Sequence, residues 1–428
     1  MYRFKHFLKH LLPQSLINYA WHLPKAALAT YFYGNPGKDL DLIMVTGTDG
    51  KTTTTTLIYH ILKTARKKAA LISTVEARIG RQSWPTGFHV TSPDPFKLQH
   101  FLRRMRSKKI RYVCLEATSH GIDQFRFFPL KPKIAVLTNV THEHLDYHKT
   151  FNHYLKTKLK LLKSANYVVL NKDLDNFDLI KSELGSVPLA TYSIDQESQL
   201  KVSHYKLLQD RVKFTLGNLE YELPLPGKYN LYNALAAISV ALYLEISPAT
   251  IRRALKTFKG VPGRMQFIKA KGLNIVIDFA HTPNALKQAL TTLNQAKSKT
   301  SRLIAVFGAA GLRDHSKRPL MGRIAAELAD EVVLTAEDPR TENLASIFAD
   351  LQKDIPDSLK SKIHLVDDRQ EAITYAITQL AHKGDWIGIF GKGHEQTMCY
   401  GTREYPWSDE NAVRQALKGV KHVSQKKS

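Results

Sequence analysis

The sequence predicts an α/β protein: a central domain on a mostly parallel, P-loop-type sheet, followed by a C-terminal Rossmann-like α/β domain. Three observations predict it. From residue 40 onward, short β-rich apolar runs alternate with helical patterns, as strands of a largely parallel sheet do. The first run leads into a Gly-rich stretch, "VTGTDGKTTTTTL" at 45–57, which opens a helix. A second strand–helix series begins near residue 261, just past the turn-rich "FKGVPGRM" at 258–265.

The elements follow in order. Residues 1–40 read as a short helical segment packed on the next domain. Lys5, Lys9 and Pro13 interrupt its apolar run before it reaches the length of a signal peptide or a bilayer span. Its basic, aromatic composition also suits a helix lying on a membrane surface, so a peripheral membrane contact is kept as a second reading. "LDLIMV", "AALIST", "YVCLEA", "IAVLTNV" and "YVVLN" are the buried strands of the first series, and Leu57, Ile58, Ile61 and Leu62 form one helical face after the loop. Residues 186–225 read as antiparallel hairpins, with "DRVKFTLGNLEYELPL" the clearest. "NIVIDFAH", "LIAVFGAA", "DEVVLTAED", "KIHLVDD" and "DWIGIFGKG" are the strands of the second series.

Bulk properties narrow the function classes. At 428 residues the chain exceeds what one core usually serves, so two or three domains are expected. Cys114 and Cys399 are its two cysteines; they offer neither a disulfide framework nor a metal spacing and suit the cytoplasm. The net charge of +24 reads mainly as lysine-rich solvated surface, and next as steering of small anionic substrates. Nucleic acid is not expected as a partner, because no basic stretch carries the interleaved aromatics of a stacking platform.

The chemistry starts at the Gly-rich loop. The common phosphate-loop pattern places four residues between its first glycine and the Gly-Lys pair; here Thr48 and Asp49 alone separate Gly47 from Gly50. Backbone N–H groups at the helix start can still cradle phosphate. Lys51 would neutralise the terminal phosphate oxygens, and the Thr52 hydroxyl would meet Mg²⁺. "CLEATSHGIDQFRF" puts Glu116 at the C-terminal end of a strand, where α/β sheets bind ligands. "TNVTHEHLDYH" offers Asn139, Glu143, His144, Asp146 and His148 after the next strand. The cluster of His142, His144 and His148 admits zinc, but the phosphate loop favours a hard cation, so Mg²⁺ with oxygen ligands and one imidazole is the better fit.

Nine strings occur in order: "VTGTDGKTTT", "TSPDP", "EATSHGIDQFR", "TNVTHEHLDYHKT", "GKYNLYNALAA", "GVPGRM", "IDFAHTPNAL", "LRDHSKRPLMG" and "GKGHE". Together they resemble the Mur ligase family, nearest its MurE-type branch of UDP-N-acetylmuramoyl-tripeptide synthetases, over residues 41–410. The resemblance implies an ATP-dependent ligase of peptidoglycan precursor synthesis. Such enzymes phosphorylate a substrate carboxylate to an acyl phosphate, which the amine of an amino acid attacks to give an amide. It also implies a central ATP-binding domain at 41–260 and a C-terminal domain at 261–428 that binds the incoming amino acid.

Residue roles implied by the resemblance are as follows. Lys51, Glu116, His144 and Lys158 would be catalytic. Gly47, Thr48, Gly50, Lys51, Thr52 and Thr53 would hold the ATP phosphates. Thr52 and Glu116 would bind one Mg²⁺, and His144 a second, with Lys158 carbamylated into an anionic bridge. Asn233 would contact adenine and Asp278 ribose, while Arg264 and His281 face the nucleotide. Thr91, Ser92, Thr118, Gln124 and Arg126 would hold a muramoyl-dipeptide. Arg313, Asp338, Arg340, Gly391 and Glu395 match the positions that grip a diamino acid, with Arg340 favouring meso-diaminopimelate over lysine or ornithine.

Departures from the family are Asp49 for asparagine, Thr118 for serine, and Glu337-Asp338 for Asp-Asn, where Asp338 is placed to pair with Arg340. The family's UDP-binding domain is largely absent from the first forty residues. The acceptor is therefore read as UDP-linked or lipid-linked. Two alternatives are a ligase acting on another, folylpolyglutamate-type acceptor, and a non-catalytic nucleotide-binding scaffold. Lys51, Glu116, His144 and Lys158 together argue against the scaffold.

Overall fold

A computed structural model describes residues 13–85, 92–141 and 145–419. They form two compact units. One holds the described residues up to His204 with Phe214–Tyr221 and Leu231–Phe258; the other holds Tyr205–Lys213, Glu222–Asn230 and the described residues from Lys259 onward.

The chain enters through helical residues Gln14–Ile17, a wider π-helical turn at Asn18–His22, and helix α1 (Leu23–Tyr33), which stops at Gly34 in the left-handed conformation. Buried Ala26 and Ala29 let α1 lie close, and Gln99 Nε2 donates to Thr30 Oγ1 at 3.2 Å. Strand β1 (Asp41–Thr46) is buried beyond its first residue and runs into helix α2 (Lys51–Thr64). The threonines at 52–56 are β-branched and poor helix formers. Thr55 and Thr56 return their hydroxyls to the carbonyls of Lys51 and Thr52, which satisfies those hydroxyls within the helix. Leu57, Ile58, Ile61 and Leu62 make the buried face.

Strands β2 (Ala69–Ile72), β3 (Glu76–Ile79) and β4 (Gln82–Pro85) lead to helix α3 (Pro95–Ser107), capped by Asp94, whose carboxylate accepts from Phe96 N. After β5 (Tyr112–Glu116) and β6 (Ile134–Leu137), helix α4 (Phe151–Lys163) begins under the hydroxyl of Thr150. Strands β7 (Val168–Asn171), β8 (Leu189–Ser193), β9 (Leu200–Leu207), β10 (Val212–Leu216) and β11 (Leu219–Leu223) complete the sheet, ordered β11-β10-β9-β8-β7-β6-β1-β5-β2-β3-β4. β1 lies parallel between β5 and β6, so the chain reverses its direction of winding there and opens a crevice at the strand ends.

One expectation is corrected. β8 and β9 are parallel, pairing Tyr192 with Leu200 and Ser193 with Lys201, so 186–225 is not a run of antiparallel hairpins. The Asp173 carboxylate accepts from the N–H groups of Ile194, Asp195 and Gln196 and bends the connection so that β9 continues in the direction of β8.

The second unit is built on β12 (Gln266–Ala270), β13 (Leu273–Asp278), β14 (Leu303–Phe307), β15 (Glu331–Leu334), β16 (Ile363–Leu365) and β17 (Trp386–Phe390), in the order β12-β13-β17-β14-β15-β16. β12 is antiparallel and the rest are parallel. Helices Pro283–Ala296 and Lys317–Leu328 contribute Leu286, Leu290, Leu293 and Met321 to one core layer, and Ile373, Ile377, Val413 and Leu417 fill another. β18 (Thr397–Tyr400) and β19 (Arg403–Pro406) form a hairpin. Among the described residues no helix is long and apolar enough to cross a membrane.

Candidate active site

The phosphate loop is set by partners on the neighbouring strand. Asn139 Oδ1 accepts from Thr48 N at 3.1 Å and Asp49 N at 2.8 Å, and Thr138 Oγ1 donates to Asp49 O at 2.6 Å. Gly47 and Gly50 have φ of 153° and 78°. A Cβ would lie 1.8 Å from Thr138 Oγ1 at the first and 2.3 Å from Asn233 Oδ1 at the second, so glycine is required at both. The loop is short because Asn233 and Thr138 close on it directly. Lys51 starts the helix and donates to Thr48 O at 2.6 Å, which holds the ammonium at the mouth of the loop.

Thr52 and Glu116 meet at the adjoining strand end. Thr52 Oγ1 donates to Glu116 Oε2 at 2.9 Å, and Thr74 N donates to the same oxygen at 2.9 Å. Glu116 is 1% exposed, and its Oε1 is buried with no hydrogen-bond partner among the described residues. A bare, buried carboxylate oxygen is costly unless something satisfies it. A hydroxyl and a carboxylate are oxygen donors, the set that suits Mg²⁺, so these residues fit the ion.

Lys158 is buried on α4, and its Nζ donates to Gly47 O at 2.7 Å while standing 4.3 Å from the centre of the Tyr154 ring. Of the neighbouring lysines, Lys160 instead points to Asp123 at 3.5 Å with its side chain half exposed, and Lys156 is exposed. Tyr154 OH lies 3.0 Å from Thr48 Oγ1, which ties α4 to the loop. His148 is buried, its Nε2 without a hydrogen-bond partner among the described residues and its Nδ1 3.3 Å from His153 Nδ1. Burial, with help from the neighbouring His120, pulls its pKa down to about 3, so it is neutral at ordinary pH. His144, with His142 and Glu143, lies outside the described residues, and so does Thr91.

The residues expected to hold the acceptor come together. Ser92 Oγ and Thr118 Oγ1 are 2.8 Å apart, and Arg126 donates to Ser92 O at 2.7 Å and to Gln124 Oε1 at 2.7 Å and 3.0 Å. Thr118 in place of serine still caps the turn, accepting from Gly121 N. Residues not foreseen brace this group: Asn18 Nδ2 and Tyr147 OH both donate to buried Asp123, at 2.7 Å and 3.1 Å. Burial and Asp123 push the Tyr147 phenol up to about 12.

In the second unit, Asp278 ends β13 and accepts from Met265 N at 2.6 Å and Ala280 N at 2.8 Å, pinning the turn that carries Arg264. The Arg264 guanidinium lies 4.4 Å from the Phe279 ring centre, and His281 and His394 pack their rings on Phe279. Gly263 and Gly393 touch backbone to backbone: a Cβ at Gly263 would lie 2.1 Å from His394 N, and one at Gly393 2.6 Å from Gly263 O.

The loop Glu337-Asp338-Pro339-Arg340 has left-handed φ at Asp338 and Arg340, 45° and 55°, a strained geometry that its surroundings must hold in place. Asp338 is not paired with Arg340. Its Oδ1 accepts from Lys392 Nζ and Cys399 N, both at 2.8 Å, and Lys392 also reaches Glu395 at 2.5 Å. The fully buried Lys392 ammonium draws the carboxylate inward, while Arg340 Nη1 donates outward to Gly311 O at 2.7 Å. Lys392 is a further residue that the sequence did not single out; its signal was the charged pair inside "GKGHE". Glu337 lies against Gly391, and burial pushes its pKa up to about 8. Arg313 is exposed on the loop before helix Lys317–Leu328. Nearby, His315, Glu342 and Asp350 converge, but the Arg318 guanidinium fills that cluster at 2.6 Å from Glu342 and 2.8 Å from Asp350.

Comparison with known proteins adds to the geometry. The Mur ligase middle domain matches residues 45–241, and the Mur ligase, glutamate ligase domain matches residues 263–393. A UDP-N-acetylmuramoyl-L-alanyl-D-glutamate–2,6-diaminopimelate ligase from Syntrophomonas wolfei is 36% identical over 404 residues, which cover 92% of this chain and 81% of the relative. Its namesake from Aquifex aeolicus is 36% identical over 394 residues, covering 91% and 80%. A solved structure of a ligase of that name aligns with a TM-score of 0.64 at 32% identity, over 92% of this chain and 82% of the other. A folylpolyglutamate synthase from Mycobacterium tuberculosis reaches a TM-score of 0.71 at 15% identity, over 86% and 92%, a likeness of fold alone.

Proposed function

This chain belongs to the Mur ligase family and is an ATP-dependent carbon–nitrogen ligase of peptidoglycan precursor synthesis; from that premise we propose that it joins a diamino acid to the carboxylate of a muramoyl-dipeptide. The observation that carries the reading is the convergence of Lys51, Thr52 and Glu116 at one strand end, with Lys158 behind the loop.

A carboxylate is a poor electrophile, and transfer of the ATP terminal phosphoryl group gives it a leaving group. Lys51 and the N-terminus of its helix hold the transferring phosphoryl charge. Thr52 and Glu116 would hold Mg²⁺, which screens the two anions as they meet. Lys158 is proposed as a carbamate. The modified nitrogen keeps one N–H, so the bond to Gly47 O survives, and the new carboxylate supplies an anionic ligand beside the loop. His144 is proposed as a further metal ligand. Ser92, Thr118, Gln124, Arg126 and Thr91 position the dipeptide. The amine's attack on the acyl phosphate forms the amide and expels phosphate.

We assign ATP binding to residues 41–260, with Asn233, and to Arg264, Asp278 and His281 of the following domain, 261–428. That domain would take the amino acid through Arg313, Asp338, Arg340, Gly391 and Glu395. Because Lys392 neutralises Asp338, Arg340 is left to a substrate carboxylate, which a bidentate guanidinium matches and lysine lacks. Meso-diaminopimelate is therefore the proposed amine. The acceptor is UDP-linked, or lipid-linked at a membrane that the N-terminal helices touch. ADP release by the purified protein, with UDP-linked and lipid-linked acceptors and with meso-diaminopimelate or lysine, tests all of this. Release independent of amine and acceptor would overturn it.

A further inference from the structure

We propose that the aromatic face of the N-terminal helices docks on the anionic headgroup region of a phospholipid bilayer. This deepens the membrane contact in the reading above and rests on that reading for its purpose, to bring the site to a lipid-linked acceptor. Trp21, Leu28 and Phe32 follow one another at i, i+7 and i+11, with Tyr31 beside them, and they are 61%, 59%, 68% and 87% exposed. Large aromatics exposed together on one helix are uncommon on a soluble monomer. Tyr and Trp favour the membrane–water boundary.

The charge pattern selects the occupant. Residues 13–38 carry no Asp or Glu, whereas Lys25 and Lys38 stand among them, with Lys25 paired to Asp94. The end of α1 meets α3 through Phe32 on Phe96 and Tyr33 on His100, with ring centres 6.5 Å and 5.9 Å apart. Lys97, His100 and Arg103 stand exposed at i, i+3 and i+6 on α3, while Asp94 and Asp39 nearby are paired with Lys25 and Arg106, so the rim of the aromatic patch is basic on balance. A second copy docked by a two-fold axis would set that rim against itself, which opposes dimerisation. An anionic bilayer complements both halves of the surface, apolar rings to the acyl boundary and cations to phosphate.

The test is sedimentation of the full chain with phosphatidylcholine vesicles, with and without about one-third phosphatidylglycerol. Binding should require the anionic lipid and weaken as salt rises. The triple variant Trp21→Ser, Tyr31→Ser, Phe32→Ser should bind at least about tenfold less, with amine-dependent ADP release on a UDP-linked acceptor unchanged. Brominated lipid should quench wild-type tryptophan fluorescence far more than that of Trp21→Tyr. Absence of vesicle binding by the wild type, or equal binding by the triple variant, overturns the inference. So does dimerisation abolished by the same substitutions, which gives the face to a second copy. Binding that appears only when residues 1–12 are removed gives it to that segment instead. A protein that binds vesicles but releases no amine-dependent ADP supports the docking face and overturns the proposed ligase reaction alone.

Discussion

The phosphate loop and the loop at 337–340 both hold charged side chains in place, and they do so with opposite materials. Around the first, the braces are mostly neutral, an asparagine amide, a threonine hydroxyl and close-packed glycines, alongside the Lys158 ammonium on Gly47 O. Around the second, they are ions: Lys392 between Asp338 and Glu395, and the buried pair of Arg369 with Asp409 at 2.8 Å. A mostly neutral frame leaves the charge of Lys51 available to phosphate. An ionic frame fixes a strained backbone, and burial of Glu337 beside it makes the loop itself titratable. Function should therefore fail at the first loop without loss of stability, while the second should link stability to pH.

The largest break expected is at Lys51. Lys51→Met should lower kcat/KM by roughly two to three orders of magnitude and shift the thermal midpoint little, since Asn139, Thr138 and Lys158 still hold the loop once its bond to Thr48 O is gone. Wild-type turnover, or loss of the fold, would erase the contrast. Next comes Lys158→Ala, with a loss of about a hundredfold that formate or acetate partly restores by occupying the vacated anionic position. Lys156→Ala and Lys160→Ala should stay within about twofold. Equal losses at all three lysines, or no rescue, would remove the carbamate.

The third expected effect is on choice of amine. Arg340→Ala should erase a preference for meso-diaminopimelate over lysine of roughly tenfold or more, read as a ratio of kcat/KM values. An unchanged ratio would return Arg340 to bracing its own loop. The smallest is on stability. Burial raises the folded pKa of Glu337 to about 8 from 4.5, so its stabilising contribution is full below the lower value and is lost as pH rises through the higher. Unfolding free energies from urea titrations, measured from pH ~5 to ~9, should fall by a few kcal/mol, at most about 4, and Glu337→Gln should flatten that slope. An equally steep slope in the variant would place the titration elsewhere.

What the sequence displayed and what it hid follow the same division. The parallel strands were legible because burial on both faces writes them as apolar runs such as "LIMV" and "YVCL". Lys51 and Thr52 were legible because a helix start fixes their relation to the loop locally. β8 and β9 were misread because strand direction was set by Asp173, more than twenty residues away from the bend it holds. The inward turn of Lys392 was hidden for a similar reason. Its partner Asp338 lies 54 positions earlier, and no periodicity records which way a loop lysine points. The bare oxygen of Glu116 emerged only with the fold, since an unmet valence belongs to packing and not to spacing.

The contact of Gly263 with Gly393 has a consequence for how this enzyme can change over generations. Any side chain at either position must enter the backbone of the other, so neither can be replaced first and corrected later. The two motifs are in effect a single heritable unit, although 130 positions separate them in the chain. Chimeras of related ligases joined anywhere between them should be viable when both parents carry the glycine pair. They should fail when one parent has rebuilt it.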